Sequence, residues 1–292
     1  MLASRQRALL SPPCIVFRAK ASSQVQDAGL VLAMCASNEA TSMTLARLIT
    51  MPHSHYVEKA RWALDRTGVA YREEPHIPLL HRWATGRHGG GSVPVLVHAG
   101  GSITDSTPIM QFADEACGGA VLYPREPAAR QAVDGLVRRF DDELGPHARR
   151  WAYAQLLGTP HLLRPMVSRG VPRPERWILP FVMPVFMRLV PRAFRITPGS
   201  SERSLERVHL LFGEVAALLA DGRCFMTGER FTAADLTFAA LSSPVLLPEG
   251  ARTPYPTPEA VPPVMRADVL RLRDTPAGRF ALRLFAEERT PR

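Results

Sequence analysis

Apolar positions follow two different periods along the chain. Between residues 45 and 116, short apolar or β-branched runs alternate with segments of helical spacing, whereas from about residue 128 the periodic segments are all helical. Such runs predict strands, and apolar residues three to four positions apart predict helices. We therefore predict strands at 45–50, 69–73, 93–97 and 102–104, and helices at 54–67, 79–85 and 106–116. The order is βαβ followed by ββα, with a right-handed crossover.

A proline-flanked linker at residues 122–127 separates this part from the second. Helical spacing then covers residues 133–140, is interrupted at Gly145-Pro146, and returns at residues 205–218, stopping near Asp221-Gly222. At 292 residues the chain is long enough for one or two domains, and we favour two. The predicted organisation is a tail at 1–40, an α/β domain at 44–121 and an all-α domain at 128–292, with an apolar insert at about 158–203.

The clearest local motif of the second part is Phe231-Thr232-Ala233-Ala234-Asp235-Leu236. Thr232 can cap the amide of Asp235 while the Asp235 carboxylate accepts from the amide of Thr232, and Phe231 can pack onto Leu236. This capping box predicts a helix that begins directly after Thr232.

Within the insert, residues 177–187 are apolar on every side. The run is too short to cross a bilayer, which takes about 20 residues, and Pro180 and Pro184 are expected to kink it. Three interpretations stay open: a buried core or subunit contact, a lid over an apolar substrate site, or an element that lies on a membrane surface.

The stretch Gly91–Val97 and the following Thr104–Ile109 carry the first candidate binding residues. Pro94 gives no hydrogen bond to a sheet, so it is expected to open a strand, and its peptide bond can be cis. Asp105 and Ser106 stand where a helix starts, which places free amides beside an acid. A purely structural interpretation is also available, with a strand-edge proline and an ordinary helix cap.

Charge and cysteine content exclude several classes of protein. The net charge of +9 comes almost entirely from arginine, with lysine only at Lys20 and Lys59, and the arginines alternate with acids. A nucleic-acid-binding protein is therefore not expected. Four cysteines without a CxxC pair are typical of a reducing compartment, and His53-x-His55 lacks further ligands at metal-binding spacing, so we expect no metal.

Residues 1–40 are rich in Ser, Ala and Arg and poor in acids, a composition typical of an organellar transit peptide. A chloroplast or mitochondrial location is therefore predicted, with the cytoplasm as the alternative. The apolar core of a secretory signal is missing, and a disordered tail is the structural alternative.

Taken together, these motifs resemble the glutathione transferases. The strand with Val93-Pro94, the acid-serine pair Asp105-Ser106 and the capping box after Gly228 occur in the family's order, although the insert departs from its compact pattern. The resemblance implies a thioredoxin-like α/β N-terminal domain followed by an all-α C-terminal domain, a homodimer, and glutathione as co-substrate.

The resemblance also assigns residues to glutathione. Val93 and Pro94 would pair with its cysteinyl backbone as an added strand, and Ser106 at the helix start would hold the γ-glutamyl carboxylate. Asp105 would take the ammonium group. Arg87 or His88 would meet the glycyl carboxylate. The apolar co-substrate would lie against Tyr56, Trp151 and Tyr153.

Ser54 is the candidate catalytic residue, because it lies five positions before the Lys59-x-Arg61 pair, as in serine-type and cysteine-type transferases. A hydroxyl at a helix start favours the glutathione thiolate by donating a hydrogen bond to it. Serine implies conjugation or peroxide reduction, whereas cysteine would imply disulfide chemistry. Ser54 could also be only a helix cap, and a noncatalytic protein that carries apolar ligands or docks on a partner or membrane is the alternative function.

Overall fold

The computed structural model describes residues 45–289. The predicted transit segment at 1–40 lies outside the described residues. Within them, no single helix is long and apolar enough to cross a bilayer. One pair of consecutive helices, Arg173–Ala193 and Pro198–Leu218, is long and apolar enough when taken together, but the two helices are bent by 69° relative to each other.

The first part is a four-stranded mixed sheet with helices, as the periodicity predicts. The sheet order is β2-β1-β3-β4, with β1 parallel to β2 and antiparallel to β3, and β3 antiparallel to β4. The elements are β1 (Ala46–Thr50), α1 (His55–Thr67), β2 (Tyr71–Pro75), α2 (Leu80–Gly86), β3 (Val95–His98), β4 (Gly101–Thr104) and α3 (Ser106–Ala116). This confirms the thioredoxin-like fold class.

Strand β2 begins two residues later than predicted because the preceding residues close α1. Gly68 adopts φ +73, a left-handed conformation suited to glycine, and its amide donates to the last carbonyls of α1. The amide of Val69 then donates to the Leu64 carbonyl at 3.0 Å. Val69 is therefore held by the helix end and is not available to the sheet.

Helices form the rest of the described chain. They are α4 (Pro127–Arg139), a π-helical turn (Phe140–Leu144), α5 (Gly145–Leu156), α6 (Pro160–Ser168), α7 (Arg173–Ala193), α8 (Pro198–Leu218), α9 (Ala233–Leu246), α10 (Pro263–Arg273) and α11 (Pro276–Glu287). Every residue of α9 is buried, and the predicted capping box is present at its start, with the Thr232 amide donating to Asp235 Oδ2 at 2.8 Å. Helix α9 is the centre of the core.

The Gly145-Pro146 pair does not separate two helices, as the spacing had suggested. Instead the helix widens into the π-helical turn, in which the Gly145 amide donates to the Phe140 carbonyl. Pro146 has no N–H, so the Asp141 carbonyl five residues earlier lacks a helical donor. That carbonyl is left to accept a hydrogen bond from outside the helix.

The insert forms α6 and α7, and α7 continues through Pro180 and Pro184 as one helix; the kinks expected at these prolines stay a prediction. Both prolines are exposed, so water can satisfy the carbonyls that lose their helical donors. The opposite side of α7 is buried through Leu179, Met183, Phe186 and Val190. One side of the insert is therefore core, and the other faces solvent.

Candidate functional site

A cavity of about 950 Å³ lies between the sheet part and the helical part. One side, the polar wall, comes from residues 51–105 and includes Ser54, Tyr56, Ser92, Val93 and Asp105. The other side, the apolar wall, comes from α5, α7 and the residue after α7, and includes Ala152, Tyr153, Leu156, Phe186, Val190 and Phe194. The cavity thus offers polar groups opposite a surface suited to an apolar ligand.

Ser54 caps α1 and lines the cavity. Its Oγ accepts a hydrogen bond from the Val57 amide at 3.4 Å, while its backbone is extended with φ −82 and ψ 122. Accepting uses only a lone pair, so the hydroxyl hydrogen remains able to donate. The cap and a role toward a ligand are therefore compatible.

Tyr56 is fixed by the widened turn. Its hydroxyl donates to the Asp141 carbonyl at 3.0 Å, the acceptor left without a helical partner by Pro146. A Cβ on Gly145 would lie 2.7 Å from the Tyr56 Cζ, so the close approach requires glycine. Burial raises the pKa of Tyr56 well above its ordinary value, so the phenol stays protonated.

Val93 lines the cavity, next to a cis Val93-Pro94 peptide bond. Strand β3 begins at Val95, so Pro94 directly precedes the strand that it was predicted to open. Among residues 45–289, neither the amide nor the carbonyl of Val93 has a backbone partner. The position has the free groups that strand addition needs.

Asp105 and Ser106 occupy the start of α3, but in different environments. Asp105 is exposed on the cavity and adopts φ +75, a left-handed conformation that costs a non-glycine residue about 1–3 kcal/mol. Ser106 is fully buried, and both its amide and its hydroxyl donate to Asp105 Oδ1, at 2.5 Å and 3.2 Å. Asp105 therefore faces the cavity, whereas the Ser106 hydroxyl contacts Asp105 from inside the protein.

Neither Arg87 nor His88 lines the cavity. The Arg87 guanidinium lies 3.5 Å from the ring centroid of exposed Trp83, an attractive cation–π contact. His81 and Arg82, on the same helix α2, line the cavity instead. Arg82 is the nearer cation candidate, whereas burial is the main cause that lowers the pKa of His81 to about 4, so His81 is neutral at pH 7. The sequence analysis missed both residues because their spacing carries no motif.

Trp151 was predicted to contact the co-substrate, but it is 1% exposed and is absent from the cavity lining. It is a core residue, because the apolar face of α5 turns it inward. Tyr153, two positions later, does line the cavity, and its hydroxyl lies 2.8 Å from His53 Nε2.

His53 and His55 have separate partners and do not converge on one point. His53 bonds Tyr153, while His55 Nε2 bonds the Gly145 carbonyl at 3.1 Å. Burial is the main cause that lowers the pKa of His53 to about 4 and that of His55 to about 3, so both are neutral at pH 7. Among the described residues, no group of three or more His, Cys, Asp or Glu side chains could hold a metal ion.

Two further charged residues of the site come from the helical part. Arg149 lines the cavity, with its guanidinium 4.2 Å from the ring centroid of Phe194. Asp141 also lines the cavity, and its Oδ1 forms an ion pair with the buried Lys59 Nζ at 2.7 Å. Lys59 entered the sequence analysis only through the Lys59-x-Arg61 motif, so this ion pair was missed.

Comparisons with known proteins agree with this geometry. Residues 48–120 match the family model of the glutathione S-transferase N-terminal domain. A glutathione S-transferase of Ceriporiopsis subvermispora, solved in complex with glutathione, has a TM-score of 0.54 at 17% identity, covering 85% of this chain and 99% of that one. One from Rhodospirillum rubrum has a TM-score of 0.50 at 21% identity, covering 83% and 99%.

A beta-etherase from a Sphingobium species has a TM-score of 0.50 at 19% identity, covering 82% of this chain and 99% of the etherase. No curated protein sequence matches the chain. At these identities the structural likeness concerns the fold. The described chain thus has the fold of the glutathione S-transferases, and its residues 48–120 match their N-terminal domain.

Proposed function

We propose that the protein is a glutathione transferase that joins the glutathione thiolate to small apolar electrophiles or uses it to reduce organic peroxides. The observation that carries the proposal is the position of Ser54, a hydroxyl at the start of α1 that lines the large cavity opposite the apolar wall. Conjugation forms a carbon–sulfur bond as the bond from that carbon to its leaving group breaks, and the thiol proton goes to water or to the leaving group. Peroxide reduction breaks the oxygen–oxygen bond, and two glutathione molecules supply the two electrons and become the disulfide, leaving an alcohol and water.

The polar wall supports binding of an extended peptide thiol. The unpaired backbone of Val93 suits the cysteinyl segment, and the exposed carboxylate of Asp105 suits the ammonium group. Ser54 would then lie beside the thiol. The positive end of α1 and the hydroxyl donor both lower the pKa of a thiol, which is about 8.5 without them.

The apolar wall supports an electrophile with little polar surface. Phe186 and Val190 of α7 are buried toward the cavity, as a lid over the co-substrate would be. Tyr153 and Arg149 are its polar exceptions, and they offer hydrogen bonds to one oxygen of such a ligand.

Replacing Ser54 by Ala tests the proposal. The variant loses a donor to a charged acceptor worth about 1.5–3 kcal/mol, so the pKa of bound thiol should rise by about one to two units. Conjugation at neutral pH should fall roughly ten- to a hundredfold, with little change in glutathione affinity. Ultraviolet titration of the bound thiolate measures the pKa, and an aromatic chloride assay measures turnover.

Ser102→Ala is the matched control, because Ser102 is an exposed serine of β4 whose hydroxyl donates to the His88 carbonyl. Unchanged titration and turnover in Ser54→Ala would remove Ser54 from the mechanism. Wild-type protein that is retained on a glutathione matrix but turns over no electrophile or peroxide would instead be a noncatalytic binder.

The proposal includes a homodimer, as expected from the resemblance to the transferases. Sedimentation equilibrium of the full chain measures its mass directly. A monomer at micromolar concentration would contradict this part and leave the assignment of Ser54 intact.

A further inference from the structure

A second cavity, of about 420 Å³, lies on the outside of the insert between α6 and α7. Its lining is unlike that of the large cavity, because half of it is arginine: Arg164, Arg173 and Arg176 with Ser168, Trp177 and Leu179. We call it the arginine cavity. It shares no residue with the lining of the large cavity.

The positive charge of the arginine cavity is not neutralised by the protein. Among the described residues, Arg164, Arg173 and Arg176 form no ion pair. The nearest acid in sequence, Glu175, is engaged elsewhere: its oxygens lie 2.6 Å from His76 Nδ1 and 3.0 Å from the Ile77 amide. The cavity also lies at the N-terminus of α7, which adds positive potential. It is therefore suited to an anion.

Beside the arginine cavity, α7 exposes an apolar surface, the outer patch, formed by Trp177, Ile178, Phe181 and Val185. Trp177 is 76% and Phe181 79% exposed, and their spacing of four residues places them on one side of the helix. Arg188 extends this side, and no acid of α7 is exposed. The outward face of α7 is thus amphipathic in composition, with aromatic residues next to arginines.

The charges decide which partner fits. A second copy of the chain would bring two sets of arginines together, which is unfavourable. Residues 1–40 are also predominantly basic, with Arg5, Arg7, Arg18 and Lys20. The partner must combine negative charge with an apolar interior, and a membrane with anionic lipids has both.

We propose that the outward face of α6 and α7 binds the surface of membranes that contain anionic phospholipids. A lipid phosphate occupies the arginine cavity, where guanidinium groups donate to its oxygens. Trp177 and Phe181 enter the boundary between headgroups and acyl chains, where aromatic side chains are favoured. Because the other side of α7 lines the large cavity, the bound protein would hold that cavity next to the bilayer.

The test is co-sedimentation of the full chain with vesicles of phosphatidylcholine alone or mixed with phosphatidylglycerol. We expect binding only to the mixed vesicles, and weaker binding at high salt because exposed charges are screened. Each arginine near an anionic surface contributes about fivefold to partitioning into the vesicles. The triple variant Arg164→Gln/Arg173→Gln/Arg176→Gln should therefore lower partitioning on the order of a hundredfold. The triple variant Arg72→Gln/Arg138→Gln/Arg271→Gln removes the same charge from exposed sites outside α6 and α7, and should change partitioning much less.

Tryptophan fluorescence gives an independent reading of the outer patch. Trp62 and Trp151 are buried, so an emission shift on adding mixed vesicles can come only from exposed Trp177 or Trp83. We expect Trp177→Phe to abolish the blue shift and Trp83→Phe to keep it. Circular dichroism melting of every variant shows that the fold is retained.

Four results would overturn the proposal. Wild-type protein that ignores mixed vesicles, or two arginine triple variants with equal losses, would show that no lipid site exists on this face. Glycerol phosphate that competes fully with vesicles without any Trp177 shift would show a soluble-anion site. Vesicle-independent dimerisation that disappears in Trp177→Phe would assign the outer patch to a second copy.

Discussion

The polar and apolar walls of the large cavity are held in place by different interactions. On the polar wall, Ser54 and Asp105 are helix caps, and Tyr56 is fixed by one backbone carbonyl. On the apolar wall, Phe186 and Val190 are placed by packing of α7 against the core. The difference matters because a cap or a hydrogen bond needs neighbours close in sequence or a single partner, whereas packing needs the whole surrounding structure.

The largest expected effect concerns a buried charge cluster behind the polar wall. Glu58 of α1 is fully buried and accepts hydrogen bonds from Arg289 Nε and the Thr253 amide, both at 2.9 Å. Glu58→Gln removes one of the two carboxylates that Arg289 contacts, the other being Asp65, so we expect a loss of about 3 kcal/mol in the free energy of unfolding. Urea unfolding measures the loss.

The control is Glu74→Gln, which breaks a partly exposed pair with Arg47 and should cost at most about 1 kcal/mol. Equal losses of stability in Glu58→Gln and Glu74→Gln would show that the buried contacts of Glu58 stabilise the fold no more than an exposed ion pair does.

The pH dependence of stability gives a second test of Glu58. Burial raises the pKa of Glu58, but Arg289 and Arg61 lower it more, so the folded value is below the ordinary one. The stabilisation is therefore present above the ordinary glutamate pKa and is lost as pH falls through the folded value.

Asp105→Asn tests the polar wall itself. Asparagine can still cap α3 but lacks the charge that would meet the ammonium of glutathione. We expect the binding free energy to weaken by about 1.5–3 kcal/mol, measured by titration calorimetry. Asp142→Asn, another acid lining the cavity, is the matched control and should bind normally. Equal weakening in both would indicate a general charge effect.

Tyr153→Phe tests a polar contact of the apolar wall, the pair of Tyr153 with His53. The change leaves buried His53 Nε2 without its partner at 2.8 Å, so stability should fall by about 1–2 kcal/mol. In the double variant with His53→Leu, part of the loss should return because no unsatisfied polar group remains. Additive losses would mean that the two side chains do not depend on each other.

The smallest expected effect concerns the attachment of α7 to the sheet. The hydrogen bond to Glu175 is the main cause that raises the pKa of His76, and Glu74 raises it further. His81 is the other titratable group that interacts with His76. A raised pKa means that this stabilisation is complete below about 6.5, the ordinary histidine value, and is lost as pH rises through the folded value. His76→Gln should cost about 1 kcal/mol at pH 6 and less at pH 9. Thermal melts of the wild type and the variant at pH 6 and pH 9 measure the loss. A larger loss at pH 9 than at pH 6 would contradict the prediction.

Sequence reasoning was most accurate where structure is local. The helix over residues 106–116 and the Thr232–Asp235 box both appear as predicted. It failed at Trp151, where helical spacing gives the apolar face but not which neighbour that face meets. It also failed at Gly145-Pro146, because the effect of a missing N–H depends on whether another donor, here Tyr56, reaches the free carbonyl.

By itself the sequence determined the order of strands and helices and the caps of α1, α3 and α9, because these depend on residues a few positions apart. Only the tertiary structure decided that Tyr153 and not Trp151 faces the cavity, that His81 and Arg82 replace Arg87 and His88 on its rim, and that α7 is buried on one side and exposed on the other. Each of these depends on contacts between segments far apart in the chain. Such contacts follow from how apolar faces pack together, and a period in the sequence does not specify that packing.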